Sequence, residues 1–150
     1  MIELKGIRKT YGQSEGAVSA LDGIDLVIGR GDFVTIMGPS GSGKSTLLHL
    51  LGLLDTPSEG SYLLEGHPVE GLPDKELSRI RNSHYGFVFQ SFNLLPELSA
   101  LENVALPLRY AGIGKKEAFE RSAVLLASVG LGKRAHHYPS QLSGGEQQRV

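Results

Sequence analysis

Phe33-Val34-Thr35-Ile36-Met37-Gly38-Pro39-Ser40-Gly41-Ser42-Gly43-Lys44-Ser45-Thr46-Leu47-Leu48 is the stretch whose reading decides the fold. Residues 33–37 are almost uniformly apolar, the texture of a strand buried on both faces of an α/β sheet. Leu47, Leu48, Leu50, Leu51 and Leu54 then recur at helical spacing until the breakers at 52–57 end the pattern. Between strand and helix, Gly38 to Ser45 fits G-x-x-x-x-G-K-[ST] in full. Glycines there let successive backbone N–H groups converge on phosphate oxygens, while the following helix points its partial positive end at them.

Each residue of the loop has a part in that chemistry. Gly38, Ser40, Gly41, Ser42 and Gly43 are expected to form the cradle. Lys44 is expected to reach the β- and γ-phosphates as a point charge, Ser45 to offer its hydroxyl to Mg²⁺, and Thr46 to support the α-phosphate side. ATP and Mg²⁺ are the ligands this arrangement suits.

On the N-terminal side, Ile2, Leu4 and, after a slip, Ile7 give strand periodicity, and a second strand is expected over 21–28 with Ile24, Leu26 and Ile28 on one face. Gly29-Arg30-Gly31-Asp32 turns the chain into residues 33–37. On the other side, residues 60–64 and the Glu65-Gly66-His67-Pro68 turn suggest a hairpin, 74–81 a short helix, and 85–89 another buried strand ending at Gln90. Ser99-Ala100-Leu101-Glu102 is a capping-box pattern opening one helix, and residues 115–129 form a second closed by Gly130.

Composition narrows the function classes. A chain of 150 residues can bury a sizeable core, 40% of it is hydrophobic, and its formal net charge of -1 gives no global pull toward nucleic acid or anionic lipid. There are no cysteines, which excludes disulfides, thiolate metal sites and cysteine nucleophiles. The most apolar stretch, 47–54, is interrupted by His49 and Gly52 and is far shorter than the roughly 20 residues of a membrane-spanning helix. His136 and His137 stand in a polar stretch before Pro139 without a third ligand at metal-site spacing, and read as a solvated loop.

Leu142-Ser143-Gly144-Gly145-Glu146 follows the phosphate loop by about a hundred residues. Here the chain resembles the ATP-binding cassette (ABC) family, whose signature is LSGGQ, and the resemblance extends over its whole length. It implies an α/β fold: a P-loop NTPase (RecA-like) core with an N-terminal antiparallel β subdomain and a helical subdomain, incomplete at the C-terminus. The corresponding divisions are residues 1–90 for the β subdomain and core, 91–138 for the helical subdomain, and 139–150 for the signature and the start of its helix. Ser143, Gly144 and Gly145 are read as a second anion-accepting turn at a helix start, and Glu146 departs from the commonest glutamine while still suiting the helix dipole.

The resemblance also assigns residues that spacing alone leaves silent. Gln90 matches the glutamine that contacts Mg²⁺ and the attacking water, so Lys44 and Gln90 are the catalytic candidates and Ser45 and Gln90 the metal candidates. Tyr11 matches the aromatic residue that stacks on adenine, with Val18 beside it. A half-buried strand-end tyrosine is the competing reading. The stretches 36–60, 87–108 and 137–150 look most like the group serving lipoprotein release, macrolide export and related efflux.

What the family implies beyond the chain is a homodimer of nucleotide-binding domains in which the signature of one protomer covers the γ-phosphate held by the other. A transmembrane permease subunit is the implied partner, placing the protein in the cytoplasm, peripheral on the inner face of the membrane. Ser91-Phe92-Asn93-Leu94-Leu95-Pro96 is either the patch that meets that partner or internal packing of the helical subdomain. The Walker B carboxylates and switch histidine of a complete member do not follow the signature within residues 147–150, so these 150 residues are expected to bind ATP without turnover. Alternatives are a cassette ATPase of the cell-division type, and a nucleotide-binding module without turnover.

Overall fold

The computed structural model describes residues 1–12 and 16–150 and divides into two units, Met1–Arg81 and Asn82–Val150.

In the first unit, β1 (Ile2–Tyr11), β2 (Val18–Ile28), β3 (Glu59–Leu64) and β4 (His67–Pro68) form one antiparallel sheet in the order β2-β1-β3-β4. The slip read in the sequence is present, because the register against β2 shifts between Leu4 and Ile7. That extra residue restores both side chains to one face, where each is 1% exposed. β2 begins at Val18, three residues earlier than its apolar pattern suggests, because Val18, Ser19 and Leu21 continue the pairing with Tyr11, Thr10 and Lys9. The β3–β4 hairpin turns at Glu65 and Gly66 as expected.

Helix α1 (Lys44–Leu51) follows the phosphate loop and buries Leu47, Leu50 and Leu51. Its C-terminal end is held from two directions. Tyr62 of β3 donates its buried hydroxyl to the Leu51 carbonyl at 2.7 Å, and Arg81 of α2 (Asp74–His84) donates to the Leu53 carbonyl at 2.6 Å. The Leu51 carbonyl is one that a helix end leaves without an intrahelical partner, and the Leu53 carbonyl lies in the turn just beyond it.

The second unit is helical. Its α3 (Ala100–Tyr110) starts from a complete capping box in which Ser99 and Glu102 exchange side-chain and backbone hydrogen bonds. Helix α4 (Lys115–Ser128) ends in a Schellman motif: Leu131 N–H donates to the Leu126 carbonyl at 2.7 Å and Gly130 N–H to Ala127 at 3.0 Å. The two leucines of that motif join Ala100, Leu101, Ala135 and Leu142 in one core, with Phe119, Val104 and Val150 against it. Helix α5 (Gly144–Arg149) follows directly from this core through Leu142 and Ser143.

Two expected strands are not formed. Residues 33–37 and 85–89 enter no ladder among the described residues, and Phe33 and Val88 are 95% and 96% exposed. A strand exists only through hydrogen bonds to neighbours, and the sheet of the first unit is completed by β1 to β4 alone. In place of sheet pairing, Tyr85, Phe87 and Phe89 stack along one face of their segment, with ring centroids 6.1 and 5.6 Å apart.

Candidate phosphate-binding site

The loop closes on itself between residues 38 and 45. Ser42 N–H donates to the Pro39 carbonyl at 3.3 Å. The Lys44 side chain folds back across the loop, its ammonium donating to the carbonyls of Gly38 at 3.0 Å and Pro39 at 2.6 Å and lying 3.4 Å from the Ser42 hydroxyl. A single cation is thereby held at the mouth of the loop. The first turn of α1 begins from Gly43, which has no side chain to cap it, so the helix dipole faces the same mouth as Lys44.

Gly43 is the residue that this geometry cannot replace. Its φ is +84°, and a Cβ placed there would lie 2.4 Å from the Ala20 carbonyl oxygen and 2.9 Å from Leu21 Cδ2. The loop is therefore seated directly on β2, one turn of pleat from Val18. Gly41 also has a left-handed φ, +78°, but open space around it. Ser40 is exposed, and Ser45 and Thr46 occupy the first turn of α1 beside Lys44. Left-handed glycines, a helix start without a side-chain cap and an ammonium held across the loop make a site that fits a polyphosphate.

Tyr11 and Val18 are register partners at the end of the β1–β2 pair where the chain passes from one strand to the other, and both are exposed. The Tyr11 hydroxyl donates to Asp55 Oδ2 at 2.7 Å, and the Lys9 ammonium lies 4.9 Å from the centre of the Tyr11 ring. Burial opposes ionisation of Asp55, yet hydrogen bonds from Lys9, Tyr11 and the Thr56 N–H together outweigh it and hold the carboxyl below its ordinary range. Sequence reading missed Asp55 and Lys9, whose partners lie more than forty residues away in the chain.

The second unit holds the remaining candidates. Gln90 stands exposed at a bend after Phe89. Ser143 caps α5, accepting from the Glu146 N–H at 3.3 Å while its own N–H and hydroxyl each donate to Glu146 Oε2 at 2.8 Å. Those two bonds, with the charges of Arg134 and Arg149 behind them, hold the Glu146 carboxyl below its ordinary value. Gly144 and Gly145 form the first turn, and a Cβ on either meets nothing closer than Phe92 Cζ at 3.8 Å or Arg149 Nη1 at 3.9 Å. Two supports were not legible in the sequence. Arg134 pairs with Glu146 Oε1 at 3.3 Å, and Gln147 donates to the Pro139 and Leu142 carbonyls at 2.9 and 3.0 Å. His137 turns its ring toward Arg134 Nη1 at 3.1 Å, and no group of metal-ligating side chains occurs among the described residues. Phe92 and Leu95 are partly exposed, and Asn103 pins the segment behind them through hydrogen bonds with Leu95, Leu98 and Ser99.

Comparison with known proteins gives a consistent answer. The family model described as ABC transporter matches residues 21–150. The macrolide export ATP-binding/permease protein MacB of Bdellovibrio bacteriovorus is 55% identical over all 150 residues, which make up 23% of that protein. An uncharacterised ABC transporter ATP-binding protein of Thermotoga maritima is 54% identical over the same span, 64% of its length. Among solved structures, the ATP-binding cassette MJ0796, in a dimeric post-hydrolysis state bound to ADP and Pi, superimposes with a TM-score of 0.89 at 46% identity. That match covers 99% of this chain and 66% of the other. The chain thus spans less than two thirds of these relatives, yet the loop at residues 38–45, the antiparallel sheet and α5 all lie within the shared part. It belongs to the ABC transporter family, with the fold of its ATP-binding cassette.

Proposed function

We propose that this chain binds Mg-ATP as the nucleotide-binding part of an ABC exporter and couples ATP binding to movement of a membrane partner. The observation that carries the proposal is the loop at residues 38–45, where Lys44, left-handed glycines and the start of α1 converge.

In this reading the backbone of residues 38–43 and the Lys44 ammonium hold the β- and γ-phosphates, Thr46 supports the α-phosphate side, and Tyr11 with Val18 receives the adenine. Ser45 and Gln90 are the residues that would hold Mg²⁺, whose charge neutralises the phosphate oxygens when it is bound. Ser143, Gly144, Gly145 and Glu146 present a small, open helix start suited to the γ-phosphate of a second protomer, giving the family's two-sided dimer. The solved relative that is dimeric and carries ADP and Pi supports this arrangement.

Export is the favoured work because the relatives include macrolide export ATP-binding/permease proteins at 50–55% identity. No helix among the described residues is long and apolar enough to cross a membrane; by the family resemblance we assign the membrane step to a permease partner and the chain to its cytoplasmic face. The exposed Phe92 and Leu95 are the surface we assign to that partner. Turnover is assigned to a cassette of the full length of the relatives, of which this chain covers 64% in the Thermotoga protein.

The test is Mg-ATP hydrolysis by this chain and by a version extended to the length of the Thermotoga relative, each beside Lys44→Ala. Hydrolysis by the extended form alone, abolished by the substitution, is expected. Hydrolysis that survives Lys44→Ala would refute the assignment.

A further inference from the structure

We propose that Asp55 is a positioning residue for nucleobase recognition, holding the Tyr11 ring in the orientation against which a purine stacks. The inference rests on the reading of Tyr11 as the base-stacking residue and goes beyond it by naming what aims the ring.

The argument starts from what an exposed tyrosine at a strand end ordinarily does. With two side-chain torsions free, it samples several orientations, and a ligand that stacks on it must first freeze them. Tyr11 is 43% exposed, yet it is held at two points. Its hydroxyl is fixed on Asp55 Oδ2 at 2.7 Å, and Lys9 sits over one ring face at 4.9 Å. Asp55 sets both constraints, because its other oxygen takes the Lys9 ammonium at 2.6 Å. The carboxylate is itself held by the Thr56 N–H at 2.7 Å, and the Thr56 carbonyl takes a second bond from Lys9 at 2.7 Å.

Lys9 belongs to this device and is not a solvated surface charge, since its side chain is 11% exposed. With a cation on one face, the opposite face of the ring is the one left for a base, and the electron-rich purine face stacks there. Asp55 also follows α1 by four residues, while Tyr11 ends β1. The same carboxylate therefore ties the stacking ring to the C-terminal end of the helix whose first turn carries Lys44. Base platform and phosphate loop are registered within one unit before ligand arrives.

The prediction separates base from phosphate. In the full chain, Tyr11→Phe, which keeps the ring and loses the hydroxyl, and Asp55→Asn are each expected to weaken ATP binding by about three- to tenfold. Both are expected to leave the affinity for inorganic tripolyphosphate unchanged, and the double variant to bind ATP no worse than either single one. Tyr11→Ala serves as the control for stacking itself. If Tyr11→Ala leaves ATP affinity at the parent value, the base-stacking reading fails and the proposal with it. If Tyr11→Ala weakens ATP binding while Tyr11→Phe and Asp55→Asn match the parent, stacking stands and positioning by Asp55 is overturned. Equal weakening of ATP and tripolyphosphate by Asp55→Asn would show a general structural role and would also overturn it. Tyr11→Phe reports on the hydroxyl independently should Asp55→Asn fail to fold.

Discussion

A Cβ built on Gly43 would lie 2.4 Å from the carbonyl oxygen of Ala20. The phosphate loop is thus pressed against β2 with no room for a side chain, at a residue whose φ of +84° also disfavours one. Gly43→Ala is expected to cost about 2 to 4 kcal/mol of stability, combining backbone strain with overpacking. Gly41→Ala, with a similar φ and open space, is expected to cost about 1 kcal/mol. Denaturant titrations of the two variants check the order, and equal midpoints would contradict the contact.

The Tyr62 hydroxyl is expected to matter to α1 from the far end. Tyr62→Phe leaves the buried Leu51 carbonyl without that donor, at a cost of about 1 to 2 kcal/mol. A denaturant midpoint that falls while the far-ultraviolet spectrum is retained is the predicted result.

Acid should loosen the second unit through the capping boxes of Ser99 and Ser143, whose partners are carboxylates. Hydrogen bonds from the Ser99 N–H and hydroxyl hold Glu102 below its ordinary 4.5, as those of Ser143 do for Glu146. A carboxyl with a lowered folded value contributes stability above its unfolded pKa and loses it as pH falls through the folded one. Stability is therefore expected to decline below about pH 4.5, and Glu102→Gln with Glu146→Gln to flatten that decline. Thermal unfolding between pH 3 and 6 measures it.

Ser122 is fully buried in α4, and its hydroxyl has no hydrogen-bond partner among the described residues. Replacing a buried, unsatisfied hydroxyl by a methyl-sized group removes a desolvation cost. Ser122→Ala is expected to raise the melting temperature by a few degrees, on the order of 1 kcal/mol.

Much of this architecture was legible because its signals are local. The loop between residues 38 and 45, the capping box at Ser99, the helix start at Ser143 and the slip between Leu4 and Ile7 are each written in a few adjacent residues. Residues 33–37 and 85–89 were misread because continuous apolarity states a demand for neighbours without supplying them. Whether such a segment becomes a strand is decided by long-range pairing, and among the described residues β1 to β4 pair with one another alone. Asp55, Arg134 and Gln147 were invisible for a related reason. Each is a polar residue outside any apolar period, and its role appears only once the partner, Tyr11, Glu146 or Pro139, has been folded beside it.

The central claim is that residues 38–46 hold the phosphates of ATP, and equilibrium binding of Mg-ATP to this chain tests it most directly. Titrations are made with the parent and with Lys44→Ala, with inorganic tripolyphosphate as competitor. The account predicts that tripolyphosphate displaces ATP from the parent and that Lys44→Ala weakens both ligands by at least about tenfold. A folded Lys44→Ala variant that binds ATP as tightly as the parent would contradict it.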